Sequence, residues 1–200
     1  MFVVCLDLEG VLVPEIWINV AEHTGIKELR LTTRDISDYD ELMKRRIGIL
    51  DQHGLKLQDI QNVIATMDPL EGAAEFMEEL RSRTQVIILS DTFTQFAKPL
   101  MKKLGWPTLF CNYLVTDAGG SITDYKLRQQ DGKRHAVKAL KSINFDVIAS
   151  GDSYNDVTML KTADAGIFFR PPESIVTEFP QFPVTQTHDE LLGEIDRILR

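Results

Sequence analysis

Cysteine is scarce in this chain: 200 residues contain only Cys5 and Cys111. Each lies in or beside an apolar stretch, so both read as buried, reduced thiols, as suits a reducing cytoplasm. Long apolar runs are missing as well. None approaches the ~18 residues that a membrane span requires. The amino terminus has no basic region and meets Asp7 too early to be a signal peptide. Positive charge is in deficit, with 22 Lys and Arg against 30 Asp and Glu, a formal net charge of -8 and a pI near 5.0. That balance argues against a nucleic-acid partner, because phosphate backbones are bound through excess Lys and Arg. It also repels an anionic small substrate at long range, so any phosphate site needs local cations. The four histidines show no metal-ligand spacing, and there are no repeats or low-complexity segments.

What is present is the composition of a globular chain, 44% apolar and 26% charged, of a length that suits one domain or one domain with a modest insertion. The first apolar run, Phe2-Val3-Val4-Cys5-Leu6, stops at Asp7-Leu8-Glu9-Gly10. Such a run reads as a strand buried on both faces of a parallel sheet. Continued with a period of two, the strand would project Asp7 and Glu9 the same way. Two acids there repel each other unless a cation or a proton lies between them. A second strand, Val86-Ile87-Ile88-Leu89, ends in Ser90-Asp91-Thr92-Phe93, and a third, Val147-Ile148-Ala149, ends in Ser150-Gly151-Asp152-Ser153-Tyr154-Asn155-Asp156. Between them a helix is expected to open at Asp131-Gly132-Lys133-Arg134.

The alternation of strands and helices predicts an α/β fold: a doubly wound, Rossmann-like parallel sheet. Helical periodicity fills the stretch from the first strand to Asp68-Pro69, too long for an ordinary crossover. Residues 14–69 are therefore expected to be an inserted small helical cap, with 1–13 and 70–200 forming the core. Asp117 to Ser121 is the expected turn of a β-hairpin. Thr187 and Glu190 form a predicted capping box at the start of a last helix.

The ordered set of acid pair, Ser90, Lys133 and Gly-Asp-x-x-Asn-Asp resembles the haloacid dehalogenase-like phosphohydrolase superfamily over about residues 1–170. Within it the chain is similar to the phosphoserine phosphatases. The Asp-x-Glu-Gly and Ser-Asp-Thr-Phe forms of the first two motifs resemble the bifunctional phosphoserine phosphatase and phosphoserine:homoserine phosphotransferase branch. The resemblance implies Mg2+ and an aspartyl-phosphate on Asp7, with Glu9 as acid and then base. It implies metal ligation by Asp7, Asp152 and the backbone carbonyl of Glu9, with Asp156 orienting the metal's waters or itself ligating. Ser90, Asp91, Lys133 and Asn155 would serve the phosphate, and the backbone amides after Ser90 are expected to begin a helix, a favourable place for phosphate oxygens. Glu15 and Arg46 are the cap candidates for the ammonium and carboxylate of an amino acid. Lys44 and Arg45 leave the register of Arg46 open, and the residues alone make all three solvated helix charges.

Phosphoserine is thus the expected substrate, and homoserine an expected second acceptor. A phosphatase for another small metabolite is the enzymatic alternative. A receiver-like phospho-aspartate signalling domain shares the acids and the lysine, but the insertion after Asp7 and the Gly-Asp-x-x-Asn-Asp motif count against it.

Overall fold

The computed structural model describes residues 1–32, 35–36 and 38–200. Its core is a sheet of seven strands: β1 (Phe2–Leu6), β2 (Gln85–Phe93), β3 (Thr108–Thr116), β4 (Ile122–Lys126), β5 (Asp146–Gly151), β6 (Ala165–Phe169) and β7 (Val184–Thr185), in the order β4-β3-β2-β1-β5-β6-β7. All neighbours are parallel except β3 and β4. β1 is central, flanked by β2 on one side and β5 on the other, with Leu6 in register with both Ile88 and Ser150. The winding reverses there, and the carboxyl end of β1 is where doubly wound sheets bind ligands.

The alternation of side chains along β1 builds two cores. Val4 and Leu6 join one face with α4 (Ala73–Arg83), α5 (Thr94–Lys103) and α9 (His188–Leu199), while Val3 and Cys5 join the other with α6 (Gly132–Ser142) and α7 (Val157–Thr162). Both cysteines are free and buried. Burial pushes the Cys5 thiol up to about 12.

After β1 the chain runs through α1 (Ile16–Thr24), a 3-10 turn (Lys27–Arg30), α2 (Tyr39–Gln52) and α3 (Leu57–Thr66) before rejoining the core. Trp17, Val20 and Ala21 on α1 and Ile60, Val63 and Ile64 on α3 face inward as their spacing predicts. Gly54 follows α2 at φ +64°, in the left-handed region that its position after the helix requires. The two arms of this helical segment are fastened at their base, where Leu70 N–H donates to Leu12 O at 2.9 Å. The β3–β4 hairpin holds its far side: Leu57 N–H donates to Gly120 O (2.9 Å) and Tyr125 Oη to Asp40 Oδ1 (2.8 Å).

Three local expectations are corrected. Pairing of β1 ends at Leu6, and Asp7–Val13 turn back on themselves through Leu12 and Val13 amides donating to Leu8 O. A period of two therefore does not govern Glu9. No helix begins after Ser90: β2 continues through Phe93 with a register shift between Leu89 and Phe93, and α5 starts at Thr94. After Pro172 the chain forms α8 (Glu173–Glu178) and the short β7. At α9 only half the capping box forms. Thr187 Oγ1 accepts from Glu190 N–H at 3.2 Å, but the Glu190 carboxylate accepts from Gln186 N–H at 2.7 Å.

Candidate active site

Asp7 leaves β1 buried, its N–H donating to Ser150 O (2.9 Å) across to β5. Its Oδ1 accepts from Leu8 N–H at 2.7 Å and lies 2.9 Å from Lys133 Nζ. Lys133, on the first turn of α6 and itself buried, also reaches Asp156 Oδ1 at 2.7 Å and Asp91 Oδ2 at 3.8 Å. Asp156 is completely buried because the loop after β5 wraps around it, the amides of Asp152 and Ser153 donating to its Oδ2 at 3.0 and 3.1 Å. One lysine thus gathers acids from three different strand ends.

Burial and the carboxylates of Asp156 and Asp152 push the Asp7 carboxyl well above the usual range, against the pull of Lys133. Burial alone would push the Lys133 ammonium down. The carboxylates of Asp156, Asp7 and Asp91 outweigh it and hold the lysine charged.

Asp7, Asp152 and Asp156 offer oxygens that all lie within 4.8 Å of one another. Two glycines make that approach possible. A Cβ on Gly10, at φ +78°, would sit 2.5 Å from Asp152 Cγ, and one on Gly151 would sit 2.3 Å from Asp156 Cγ. Carboxylate oxygens around a space kept clear of side chains are a donor set that suits a hard divalent cation such as Mg2+.

Glu9 is half-buried and points elsewhere: its Oε2 accepts from Ile16 N–H at 2.8 Å, at the start of α1. Burial, with the charge of Glu15, raises its carboxyl to about 8 against the pull of that hydrogen bond, Arg46 and Lys133. Glu15 is exposed beside it. Arg46 corrects the reading of solvated helix charges. It is buried, with its guanidinium 4.5 Å from the Trp17 ring centre and Nη2 donating to Leu31 O at 2.8 Å. Its Nε is buried with no acceptor among the described residues. Lys44 and Arg45 are exposed, so the register of this helix is fixed by burial.

Ser90 is buried and its Oγ accepts from Thr92 N–H at 3.2 Å, which makes the bulge in β2. Asn155 is exposed and donates from Nδ2 to Asp91 Oδ2 at 2.9 Å. Arg134, next to Lys133, pairs with Asp131 instead and stays out of the cluster.

Several supporting residues escaped the sequence reading. Asn112 is buried in β3, donating from Nδ2 to Asp91 O (3.1 Å) and accepting from Arg128 N–H (3.0 Å) at Oδ1. Tyr39 Oη donates to the same Asp91 carbonyl at 3.3 Å. An asparagine interrupting an otherwise apolar strand was a signal for the first; nothing local marks the second. Trp17 belongs to the core, as its helical spacing suggests, yet one face of its ring is the floor for Arg46.

A sheet of this order with acids, a lysine and a bulged serine at its switch point defines a phosphohydrolase-type α/β fold. A haloacid dehalogenase-like hydrolase profile matches residues 3–164, and the chain belongs to that family of enzymes. It is 62% identical over 192 residues to a phosphoserine phosphatase of Pseudomonas syringae pv. tomato, covering 96% of this chain and 81% of that protein. It is 60% identical to phosphoserine phosphatase ThrH of Pseudomonas aeruginosa, covering 97% and 95% of the two chains. Among solved structures, a phospho-aspartyl intermediate analogue of phosphoserine phosphatase superposes with a TM-score of 0.77 over 96% of this chain and 98% of that one. At 22% identity, that likeness speaks to the fold.

Proposed function

We propose that this enzyme is a magnesium-dependent phosphoserine phosphatase that works through a phosphorylated Asp7 and can also pass the phosphoryl group to homoserine. The observation that carries the substrate is Arg46: a buried guanidinium, stacked on Trp17, with an Nε that finds no acceptor among the described residues and with Glu9 and Glu15 close enough to act on its charge. A cationic fork beside carboxylates matches an amino acid's carboxylate and ammonium. The names of the relatives at 60–62% identity agree with that chemistry. In this reading residues 14–69 are the cap that recognises the amino acid, and 1–13 with 70–200 are the core that performs the chemistry. A cytoplasmic location belongs to the same reading, in keeping with two free, buried cysteines.

Asp7, Asp152, the Glu9 backbone carbonyl and Asp156 would hold Mg2+, which when bound supplies charge neutralisation for the phosphoryl oxygens. Lys133 orients Asp7 and, with Ser90, the backbone amide of Asp91 and the Asn155 side chain, forms the phosphate slot. The Asp7 carboxylate attacks phosphorus as the bond to the serine oxygen breaks. Glu9, protonated because its carboxyl is raised to about 8, gives its proton to the departing alkoxide. The resulting Glu9 carboxylate then takes a proton from the second acceptor, water or the homoserine hydroxyl. That oxygen attacks phosphorus and restores Asp7. A closed cap that admits an amino acid and excludes water favours transfer over hydrolysis.

The test follows both products from phosphoserine and Mg2+, with and without homoserine, using Asp7→Asn as control. Free phosphate plus O-phosphohomoserine that appears only with homoserine supports both activities. Phosphate alone removes the transferase. Neither product removes the substrate.

A further inference from the structure

The phosphate slot just described already holds an anion, and it belongs to the protein. Asp91 Oδ2 accepts from Asn155 Nδ2 at 2.9 Å and lies 3.8 Å from Lys133 Nζ. These are two of the groups that the proposed function gives to the phosphate. The lysine does not need a third carboxylate, because Asp7 and Asp156 already approach it to 2.9 and 2.7 Å. Nor is another acid favourable here: Asp7, Asp91 and Asp156 already share one buried ammonium.

The backbone under Asp91 is nevertheless built to keep it there. The bulge in β2 carries residue 91 out of the ladder, and the Asp91 carbonyl is held by Asn112 Nδ2 and Tyr39 Oη from two other elements. The side chain is the accessible part. It is 46% exposed where Asp7, Lys133 and Asp156 are at most 6% exposed. Beside it a small pocket is lined by Ser90, Asn112, Arg128, Gly132 and Lys133, so a carboxylate that swings away remains near a second cation.

We propose that the Asp91 carboxylate is a stand-in for the phosphate: it occupies the donors of Asn155 and Lys133 between turnovers, yields them when a phosphate monoester enters, and reclaims them as inorganic phosphate leaves. The idea rests on the phosphate slot of the preceding subsection. The cost of displacing the carboxylate is the same for substrate and product. A monoester is also anchored by Arg46 and binds in spite of that cost, whereas inorganic phosphate, held by the slot alone, is released.

The measurement is the dissociation constant of inorganic phosphate in the presence of Mg2+, by calorimetry, with its inhibition of phosphoserine turnover, for wild type, Asp91→Asn and Asp91→Gly. Melting curves establish that the variants fold, and the asparagine keeps the size of the side chain. Removing one negative charge from a half-exposed slot is expected to tighten phosphate binding roughly tenfold in both variants. The inhibition constant of phosphate should fall by the same factor, and phosphoserine binding should tighten as well, because both displace the same carboxylate. Unchanged or weaker phosphate binding in both variants, with phosphate competitive in wild type, overturns the stand-in and leaves the slot intact. Weaker phosphoserine binding with phosphate unaffected makes Asp91 a contact for the substrate's ammonium and overturns it likewise. Wild type in which phosphate does not compete with phosphoserine overturns the slot assignment and the stand-in together.

Discussion

Glu9 offers a test in which stability and activity move in opposite directions. Its carboxyl rises from 4.5 to about 8 in the folded, metal-free protein. Between those values the folded chain keeps a proton that the unfolded chain has released. Stability therefore falls as pH rises through that window and levels off above it. At neutral pH, some 2.5 units above the unfolded value, the ceiling on this cost is about 3 kcal/mol, and near pH 5 it is under about 1 kcal/mol. Half-burial of the side chain and its coupling to Glu15 reduce the expected effect to about 1–3 kcal/mol near pH 8. Glu9→Gln is neutral at every pH and keeps an oxygen to accept from Ile16 N–H. Urea unfolding of the two proteins in EDTA, near pH 5 and near pH 8, should show the variant more stable by that amount at the higher pH and nearly equal at the lower. Turnover of phosphoserine should fall by roughly 10²–10⁴-fold, the usual contribution of a general acid–base. A stability difference that does not change with pH would refute the raised carboxyl. Undiminished turnover would refute its role as the acid.

Three further outcomes are expected. Arg46→Lys keeps the charge but loses the fork and the stack on Trp17, so the KM for phosphoserine should rise at least about tenfold while turnover of p-nitrophenyl phosphate, which has no amino-acid portion, stays unchanged; a rise shared by both esters would place Arg46 with the phosphate instead. Gly10→Ala puts a Cβ into Asp152 Cγ at 2.5 Å from a backbone at φ +78°, so the Mg2+ concentration for half-maximal activity should increase roughly tenfold or more, read from a magnesium titration of activity. His188, at the start of α9, places Nε2 2.8 Å from Val11 O and Nδ1 3.0 Å from Glu71 O, between the rings of Phe76 and Phe169. His188→Leu removes the donor and should cost about 2–4 kcal/mol in urea unfolding; a loss under about 0.5 kcal/mol would mean that neither carbonyl depends on the ring.

How far the sequence reached is visible residue by residue. The apolar run before Asp7, the hairpin around Asp117 to Ser121 and the inward stripes of α1 and α3 were legible because period and turn chemistry are local properties. So was the order of the motifs, which places Asp7, Ser90 and Asp152 near the ends of neighbouring strands in a parallel sheet. Local rules failed where the chain leaves regular structure. Strand alternation was extended one turn too far to Glu9, and a helix was expected at Ser90 where a bulge keeps β2 extended.

The sequence by itself determined which residue types were available and on which elements they ride. Only the tertiary structure decided their company. Lys133 meets Asp7 from 126 positions away, Arg46 is selected over Lys44 and Arg45 by burial against Trp17, and Asp91 is turned toward Asn155 by a bulge held from β3 and α2. The physical reason is that charge, unlike hydrophobic periodicity, carries no mark of its partner along the chain. Its energy depends on distance and dehydration, and both are set only when remote elements pack.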